Sequence, residues 1–446
     1  MRNAVLTALA AFAAVVEPAL AQTPAAPLRL SFADAVAQAA GAAPAVTLAA
    51  LRTDEAAARA RQARGSLLPS LTGSAGFLNR SFNRASLGFT LPTVSGQPPP
   101  PDLIGPFDNV DARLRVTQTL FDYASLARVR AARAQVTGSR AEEGVAVEGA
   151  AQGAALAYLR AARAAALVEA RQADSGLAAE LVALAREQRE AGVSAAIDVT
   201  RARTQLVAAE GALIIARNRL DRARIEVLRS LGLDPATALE LGDTLSTTLA
   251  AGAVPARRDS TVALALAGRP ELQAEIARGS AARRAQSAIA AERFPRLELA
   301  ADYGANGPTV GDAIVTRQIG LQVTIPLLDG FRREGRLAEQ QAVVRQTEIR
   351  ERELRQQIAA EVDAALLDLG SALAQQAVAT EALRLAEEEL SQARERFAAG
   401  VAGNIEVINA QVSLLRARDT DIDALYAAAA ARVALARAVG SARTLH

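Results

Sequence analysis

Apolar and polar positions along this chain change period, and they do so in the same order twice. From about Leu30 to Gly65 the spacing is helical, with breaks near Gly41 and Pro44. Leu68-Pro69 ends it, because a residue preceding proline is pushed towards extended geometry. The period then shortens to two: sides alternate in Leu71 to Phe77 and again in Val110 to Val116. A Gly/Pro-rich stretch containing Pro98 to Pro101 lies between them, so the pattern predicts a strand, a long loop and a strand. After Asp122 the helical period returns and runs without proline to Gly192, then resumes beyond it.

The second half repeats the sequence of periods more cleanly. Leu297, Leu299, Ala301 and Tyr303 share one face of a predicted strand. Ile319, Leu321, Val323, Ile325 and Leu327 share one face of another, opposite Gln318, Gln322 and Thr324. Period two over about ten residues is the length of a tilted membrane-crossing strand. Phe77, Phe107, Phe121, Tyr123, Phe294, Tyr303 and Phe331 lie in or beside these stretches, as do Phe82 and Phe89, where aromatic residues at a membrane–water interface would fall. The alternation by itself also fits a soluble β-layer with ordinary core aromatics.

Short motifs mark the two copies. Ala43-Pro44 and Leu68-Pro69 answer to Arg269-Pro270 and Phe294-Pro295 at one shared offset. Leu120-Phe121-Asp122 answers to Leu327-Leu328-Asp329, and Ala191-Gly192-Val193 to Ala399-Gly400-Val401, at a slightly shorter one. A repeat of this length means two near-equivalent structural units. The reading is a leader over 1–21, a first repeat over 22–231, a linker over 232–259 and a second repeat over 260–446. Within them it places strands near 70–80, 108–120, 296–304 and 316–328, long helices over 123–190 and 331–398, and return helices over 196–231 and 404–440. Each long helix would extend about 100 Å at 1.5 Å per residue.

The second long helix has a readable heptad. Val362, Leu369, Leu383, Leu390 and Phe397 occupy one position, with Gln376 the polar member; Ala365, Ala372, Ala379, Ala386 and Ala393 occupy the position three later. Large residues against alanine predict a tight knobs-into-holes seam, and Ile408, Leu415 and Ile422 keep heptad spacing on the return helix.

Composition narrows the class. Hydrophobic residues make up 51% of the 446 residues but aromatics only 3%, so small aliphatic side chains supply the apolar surface, as in closely packed helices. All 50 basic residues are arginine against 48 acidic ones, interspersed along the helices, which gives no clustered footprint for nucleic acid. Arg2, the apolar run Ala4 to Val16 and Ala19-Leu20-Ala21 read as a secretory signal with its cleavage site. No long apolar helix is read beyond it, so entry into a membrane would be by β-strands. The chain has no Cys and one His, His446, so no catalytic set, metal cluster or cofactor motif is legible.

In their order and spacing, the leader, the doubled helix–strand–strand–long-helix plan, the strand endings Gln118-Thr119-Leu120-Phe121-Asp122 and Pro326-Leu327-Leu328-Asp329-Gly330, and the paired Ala-Gly-Val turns resemble the TolC-like outer membrane efflux proteins of Gram-negative bacteria. Four strands cannot close a barrel, and an open edge is not tolerated in lipid. The resemblance implies a mainly α fold with membrane β: a homotrimer sharing a twelve-stranded barrel, four strands per chain, continued by a coiled-coil tunnel through the periplasm. It implies an exit duct of a tripartite efflux or type I secretion system, embedded in outer-membrane lipid and working with a periplasmic adaptor (membrane fusion) protein and an inner-membrane pump. By that match Gly192, Val193 and Ser194, with Gly400, Val401 and Ala402, would be adaptor-contact turns; the competing reading is that glycine serves only the turn geometry. Asp198, Glu406 and Asn409 would lie at the periplasmic aperture, Asp198 more as a partner of its helix N-terminus and Glu406 as an acidic ring. Arg201 and Arg203 suggest ion pairs between hairpins. Two alternatives keep the long helices: a soluble periplasmic coiled-coil adaptor or scaffold, and an exported enzyme on a helical frame.

Overall fold

The computed structural model describes residues 27–87, 102–246, 257–401 and 403–445. The leader, the Pro98 to Pro101 loop, Phe89, Ala402 and His446 lie outside the described residues. Strand β1 (Leu28–Leu30) leads into helices α1 (Phe32–Ala42) and α2 (Pro44–Gly65), then strands β2 (Ser70–Asn83) and β3 (Leu103–Asp122). The long helix α3 (Tyr123–Glu190) and its return α4 (Ala196–Leu231) follow, then strand β4 (Leu239–Leu241). Helices α5 (Arg258–Gly268) and α6 (Pro270–Ala291) open the second copy, which continues through β5 (Arg296–Gly307), β6 (Ile314–Thr324), α7 (Arg332–Ala398) and α8 (Asn404–Val439). α1 and α2 map onto α5 and α6 at one offset, and α4 maps onto α8 at a shorter one, because the second copy has the shorter strands and the shorter connection between them.

Four strands form one antiparallel sheet in the order β2-β3-β5-β6, the two copies joining through β3 and β5. Directly paired residues project from the same face, so the register sorts the side chains. One face carries the rows Leu71–Val116–Ala301–Ile319, Gly73–Leu114–Tyr303–Arg317 and Phe121–Leu297–Val323. The other carries Thr72–Arg115–Asp302–Gln318 and Ser74–Arg113–Gly304–Thr316. Between the Phe77–Val110 pair and the Phe121 row, Gln118 and Arg317 are the only interruptions of the apolar face among the described residues. Leu71, Phe77, Leu114, Tyr303, Ile319 and Leu321 on it are exposed, and Val110, Leu297 and Leu299 half-buried. On the polar face Arg113 reaches Asp111 at 2.7 Å and Asp302 at 3.3 Å. Its backbone crowds Gly304, where an added Cβ would meet Arg113 Cβ at 2.4 Å, so this crossing requires glycine.

β6 ends at Thr324, short of residue 328 where the alternation carries it, because Pro326 has no N–H to offer a ladder. The segment 325–331 separates β6 from α7, and Gly330 and Phe331 within it both have positive φ, +68° and +63°. In the first copy β3 passes directly into α3, with Asp122 Oδ1 accepting the Ala124 N–H at 2.9 Å as an N-cap.

α3 packs on α4 and on α8, and α8 on α7, giving a four-helix layer in the order α4-α3-α8-α7. The alanine seam is observed: Ala365, Ala372, Ala379, Ala386 and Ala393 are buried with Val362, Leu390 and Phe397, while Leu369 and Leu383 pack as half-buried neighbours and Gln376 is half-buried. On α8 the core takes Val407, Ala410 and Leu414 and leaves Ile408, Leu415 and Ile422 half-buried, because α8 has two neighbours, α7 and α3, and its buried face is wider than one seam. Between α3 and α8 lies a polar cluster in which Arg171 pairs with Asp174 at 3.1 Å and with Asp419, and Arg418 with Asp174 at 2.8 Å. Burial pushes the Asp419 carboxyl above its ordinary range, against the opposing pull of Arg171.

Two features depart from the reading of the sequence. Leu30 belongs to a strand, and the stretch read as a linker holds β4, which pairs in parallel with β1, while α5 begins within it at Arg258. Phe32–Gly65 is also long and apolar enough, by composition, to cross a membrane. It is two helices separated at Ala43-Pro44, the first of them buried through Phe32, Ala35, Val36 and Ala39. Tyr158 of α3 ties this region together. Its ring meets Phe32 edge-on at 5.7 Å, and its hydroxyl donates to the Leu30 carbonyl at 3.1 Å and accepts the Asp243 N–H at 3.0 Å. Burial pushes the phenol up to about 12, so it remains a donor at any physiological pH. Tyr158→Phe strips the Asp243 N–H of its partner and takes one of two donors from the Leu30 carbonyl, which keeps the Gly242 N–H at 2.7 Å; it is expected to cost about 1–3 kcal/mol, read as a lowered unfolding midpoint in detergent with the fold retained.

Candidate functional site

Both helical hairpins turn by the same device. α3 ends at Glu190 with Ala191 as its C-cap, and Gly192 takes φ +78°. The Gly192 N–H donates to the Arg189 carbonyl at 3.0 Å and the Val193 N–H to the Gln188 carbonyl at 2.9 Å, the double bond pattern of a Schellman turn. At the second tip Gly400 has φ +72°, with Gly400 N–H to Phe397 and Val401 N–H to Arg396, each 3.0 Å. No atom lies within 4 Å of a Cβ built on either glycine, so the constraint at both is the left-handed backbone and not space. Each turn thrusts a valine outwards: Val193 is 73% exposed and Val401 72%. The hydrophobic contact that often closes such a turn is missing, since the residues five before the valines are Gln188 and Arg396.

Beneath the tips the four helices share an apolar cluster with Leu181, Val182, Val199, Leu390, Phe397 and Val407 at its centre. Two side chains stitch the hairpins across it. Gln188 Nε2 donates to the Phe397 carbonyl at 3.0 Å, and Asn404 Nδ2 donates to the Asp198 carbonyl at 3.0 Å. Asn404 is 1% exposed, and its Oδ1 is buried without a hydrogen-bond partner. The sequence reading missed it; the signal available was that the first copy has Ala196 at the matching helix start.

The candidate aperture residues take separate roles. Asp198 accepts from the Ala195 N–H and from Ser194 Oγ, each at 3.3 Å, and meets Arg201 at 3.8 Å one turn along its own helix. Glu406 pairs at 2.9 Å with Arg396 across its own turn, so its charge is compensated within the hairpin. Asn409 is exposed. Arg201 thus pairs inside its helix rather than between hairpins, and Arg203 makes no ion pair among the described residues. Among the described residues, the ion pair between hairpins nearest the tip is Arg394–Glu180 at 2.6 Å. Among the described residues no group of His, Cys, Asp or Glu is arranged to hold a metal ion.

A sheet with one exposed apolar face, continued by helices of about 100 Å, describes a channel wall that leaves a membrane and crosses an aqueous space. The sequence profile of the outer membrane efflux protein family matches residues 35–233 and 261–441, and the chain belongs to that family. The fold is the one seen in the outer membrane protein VceC of Vibrio cholerae, with a TM-score of 0.74, 22% identity, and coverage of 92% of this chain and 96% of that one. It also matches the CmeC outer membrane channel of Campylobacter jejuni, with a TM-score of 0.77, 16% identity, and coverage of 92% and 86%. Among curated relatives, Protein CyaE of Bordetella pertussis strain Tohama I is 29% identical over 321 residues, 69% of this chain. That match spans 65% of the relative's length. The class so defined is that of outer membrane efflux proteins. The sheet is the part of the chain for the outer membrane and the long helices the part for the periplasm. A soluble coiled-coil scaffold is thereby set aside.

Asn404→Ala removes the bond from Asn404 Nδ2 to the Asp198 carbonyl and is expected to loosen the stitch between the two hairpins. Hydrogen exchange at the amides of 188–200 and 396–407 should quicken while the amides around Tyr158 stay unchanged.

Proposed function

We propose that this chain is the exit duct of an export machine, assembled as a homotrimer around a shared twelve-stranded barrel. The observation that carries this reading is the sheet. Its outer strands β2 and β6 are paired on one side only, and the face that would meet lipid is apolar from Phe77 to Phe121 save for Gln118 and Arg317. Unpaired backbone groups are not tolerated in a bilayer, so the edges must meet edges of other copies. Three copies of four strands supply a barrel in the range of sizes that outer membranes contain. Arg113, Arg115, Asp111 and Asp302 would then face an aqueous lumen, where their charges remain hydrated.

The tips are proposed as the docking surface for a periplasmic adaptor, with an inner-membrane pump supplying the energy. Gly192, Val193 and Ser194, and Gly400 and Val401, present two exposed apolar knobs, a surface suited to an apolar hairpin of a partner, and Ala402, outside the described residues, is assigned to the same contact. Because Glu406 is paired with Arg396 and Asn409 is uncharged, the mouth would concentrate cations only weakly. Opening would be an outward displacement of the hairpins, favoured by a partner that binds the open form better. The duct carries out passage and no chemistry, so no turnover is expected on generic hydrolase substrates.

The mass of the detergent-extracted protein from the outer-membrane fraction tests the assembly. Three chain masses are expected; a monomer in the soluble periplasmic fraction would overturn the reading. Gly400→Val, which forces a β-branched residue to φ +72°, is expected to abolish export while leaving the oligomer in the outer membrane. Loss of the oligomer instead would assign the glycine to assembly and remove the support for a docking tip.

A further inference from the structure

Between the Phe77–Val110 pair and the Phe121 row, the apolar face of the sheet carries a single charge, the guanidinium of Arg317. Arg317 lies on β6 directly across from Tyr303 of β5, in a row completed by Leu114 and Gly73. Its side chain is exposed and makes no ion pair or hydrogen bond among the described residues. Arg113 and Arg115, on the opposite face, have Asp111 and Asp302 for partners.

The strands beside Arg317 hold no acid that could neutralise it. Both carboxylates of β5, Glu298 and Asp302, belong to the polar face. In a closed barrel the other neighbour of β6 is β2 of the next copy, and Ser70–Asn83 contains neither Asp nor Glu. A counter-charge must therefore come from outside the protein.

Height along the strand says what lies there. β6 descends from the hairpin turn at 308–313, the end away from the long helices, and Arg317 is its fourth residue. Beneath it Ile319, Leu321, Val323, Ile325 and Leu327 are 56% to 87% exposed. A strand tilted by about 40° gains about 2.5 Å of height per residue. At that rise Arg317 stands about 25 Å above Leu327, the height of the apolar band around an outer-membrane barrel. Arg317 and Tyr303 thus mark the outer rim of the band, where the cost of a charge on the lipid face fades and where tyrosine rings gather. An arginine stem can lie along apolar neighbours, here Val315 and Ala305 one row further out, while its head reaches the polar layer. The anions in that layer are the phosphates of lipid headgroups.

We propose that Arg317, with Tyr303 beside it, binds the phosphate of an outer-leaflet lipid. The guanidinium offers two parallel N–H donors to phosphate oxygens, and the Tyr303 hydroxyl offers a third donor. The site occurs once in each copy. It rests on the barrel proposed above, with the apolar face outwards, and adds a ligand to it.

Titration of the detergent-purified, delipidated oligomer with fluorescent bisphosphorylated lipid A tests the site. Arg317→Gln should weaken binding about fivefold, the worth of one basic residue at an anionic surface, and Arg317→Lys should recover part of the loss. The unaltered protein should hold dephosphorylated lipid A no better than Arg317→Gln holds the phosphorylated form. Arg115→Gln, on the opposite face, should leave binding unchanged. Equal affinity with and without Arg317→Gln, at a retained trimer mass, would overturn the site and leave the assembly standing. A loss confined to Arg115→Gln would turn the polar face towards lipid and overturn both. Full competition by millimolar inorganic phosphate would overturn the lipid as occupant and assign the site to the free anion. An unaltered chain that forms no oligomer would overturn the barrel, and the site with it.

Discussion

A peptide N–H or C=O that faces hydrocarbon must have a partner, and in this chain β3 and β5 satisfy theirs on both sides while β2 and β6 do so on one. A sheet of four strands with alternating apolar and charged faces therefore has no stable existence in a bilayer as a single copy. The organisation of the molecule follows from that incompleteness. The helices that continue the strands inherit their order, so the outermost helices are left as unpartnered as the outermost strands.

Alanine sets the packing below the membrane. With Ala365, Ala372, Ala379, Ala386 and Ala393 on one line, α7 approaches α8 closely over about 40 Å; Leu435 packs at one end, Leu414 and Val407 at the other, and Ala428 and Ala431 meet Ala372 between them. Glycine does something different at the tips, where Gly192 and Gly400 are open to solvent and needed only for their sign of φ. The distinction matters for function. A surface made by backbone geometry can present Val193 and Val401 outwards without any side chain holding them there.

Much of this was legible in the sequence, for physical reasons. Period two shows wherever one face of a strand meets lipid and the other water, as in Leu297 to Tyr303 and Ile319 to Val323. The tight turns showed because left-handed geometry selects glycine. Three-residue strands such as β1 and β4 are too short to carry a period, and their pairing joins Leu28, at the start of the first copy, to Leu239, beyond its end. Ile408, Leu415 and Ile422 kept a heptad, yet Val407 and Leu414 took the core, because a helix with two neighbours buries a broader arc than spacing alone reveals. The pairing of Glu406 with Arg396 was hidden among charges that make up 22% of the chain. Asn404 gave its only sign as a difference between copies.

That difference between copies is sharpest where strand meets helix. β3 runs into α3 without an intervening residue, so strand and helix share one unbroken backbone. α7 hangs from β6 by the segment 325–331, which ends in two left-handed residues, and Leu327, Leu328 and Phe331 lie free of its own core. The two hairpins therefore leave the sheet through unlike joints, one a continuous backbone and the other a connection pinned where Asp329 Oδ2 accepts the Arg333 N–H at 3.0 Å and where Arg336 meets Glu292. An insertion at the first joint would shift the whole helix against its strand, whereas the second already holds the extra length that such a shift requires.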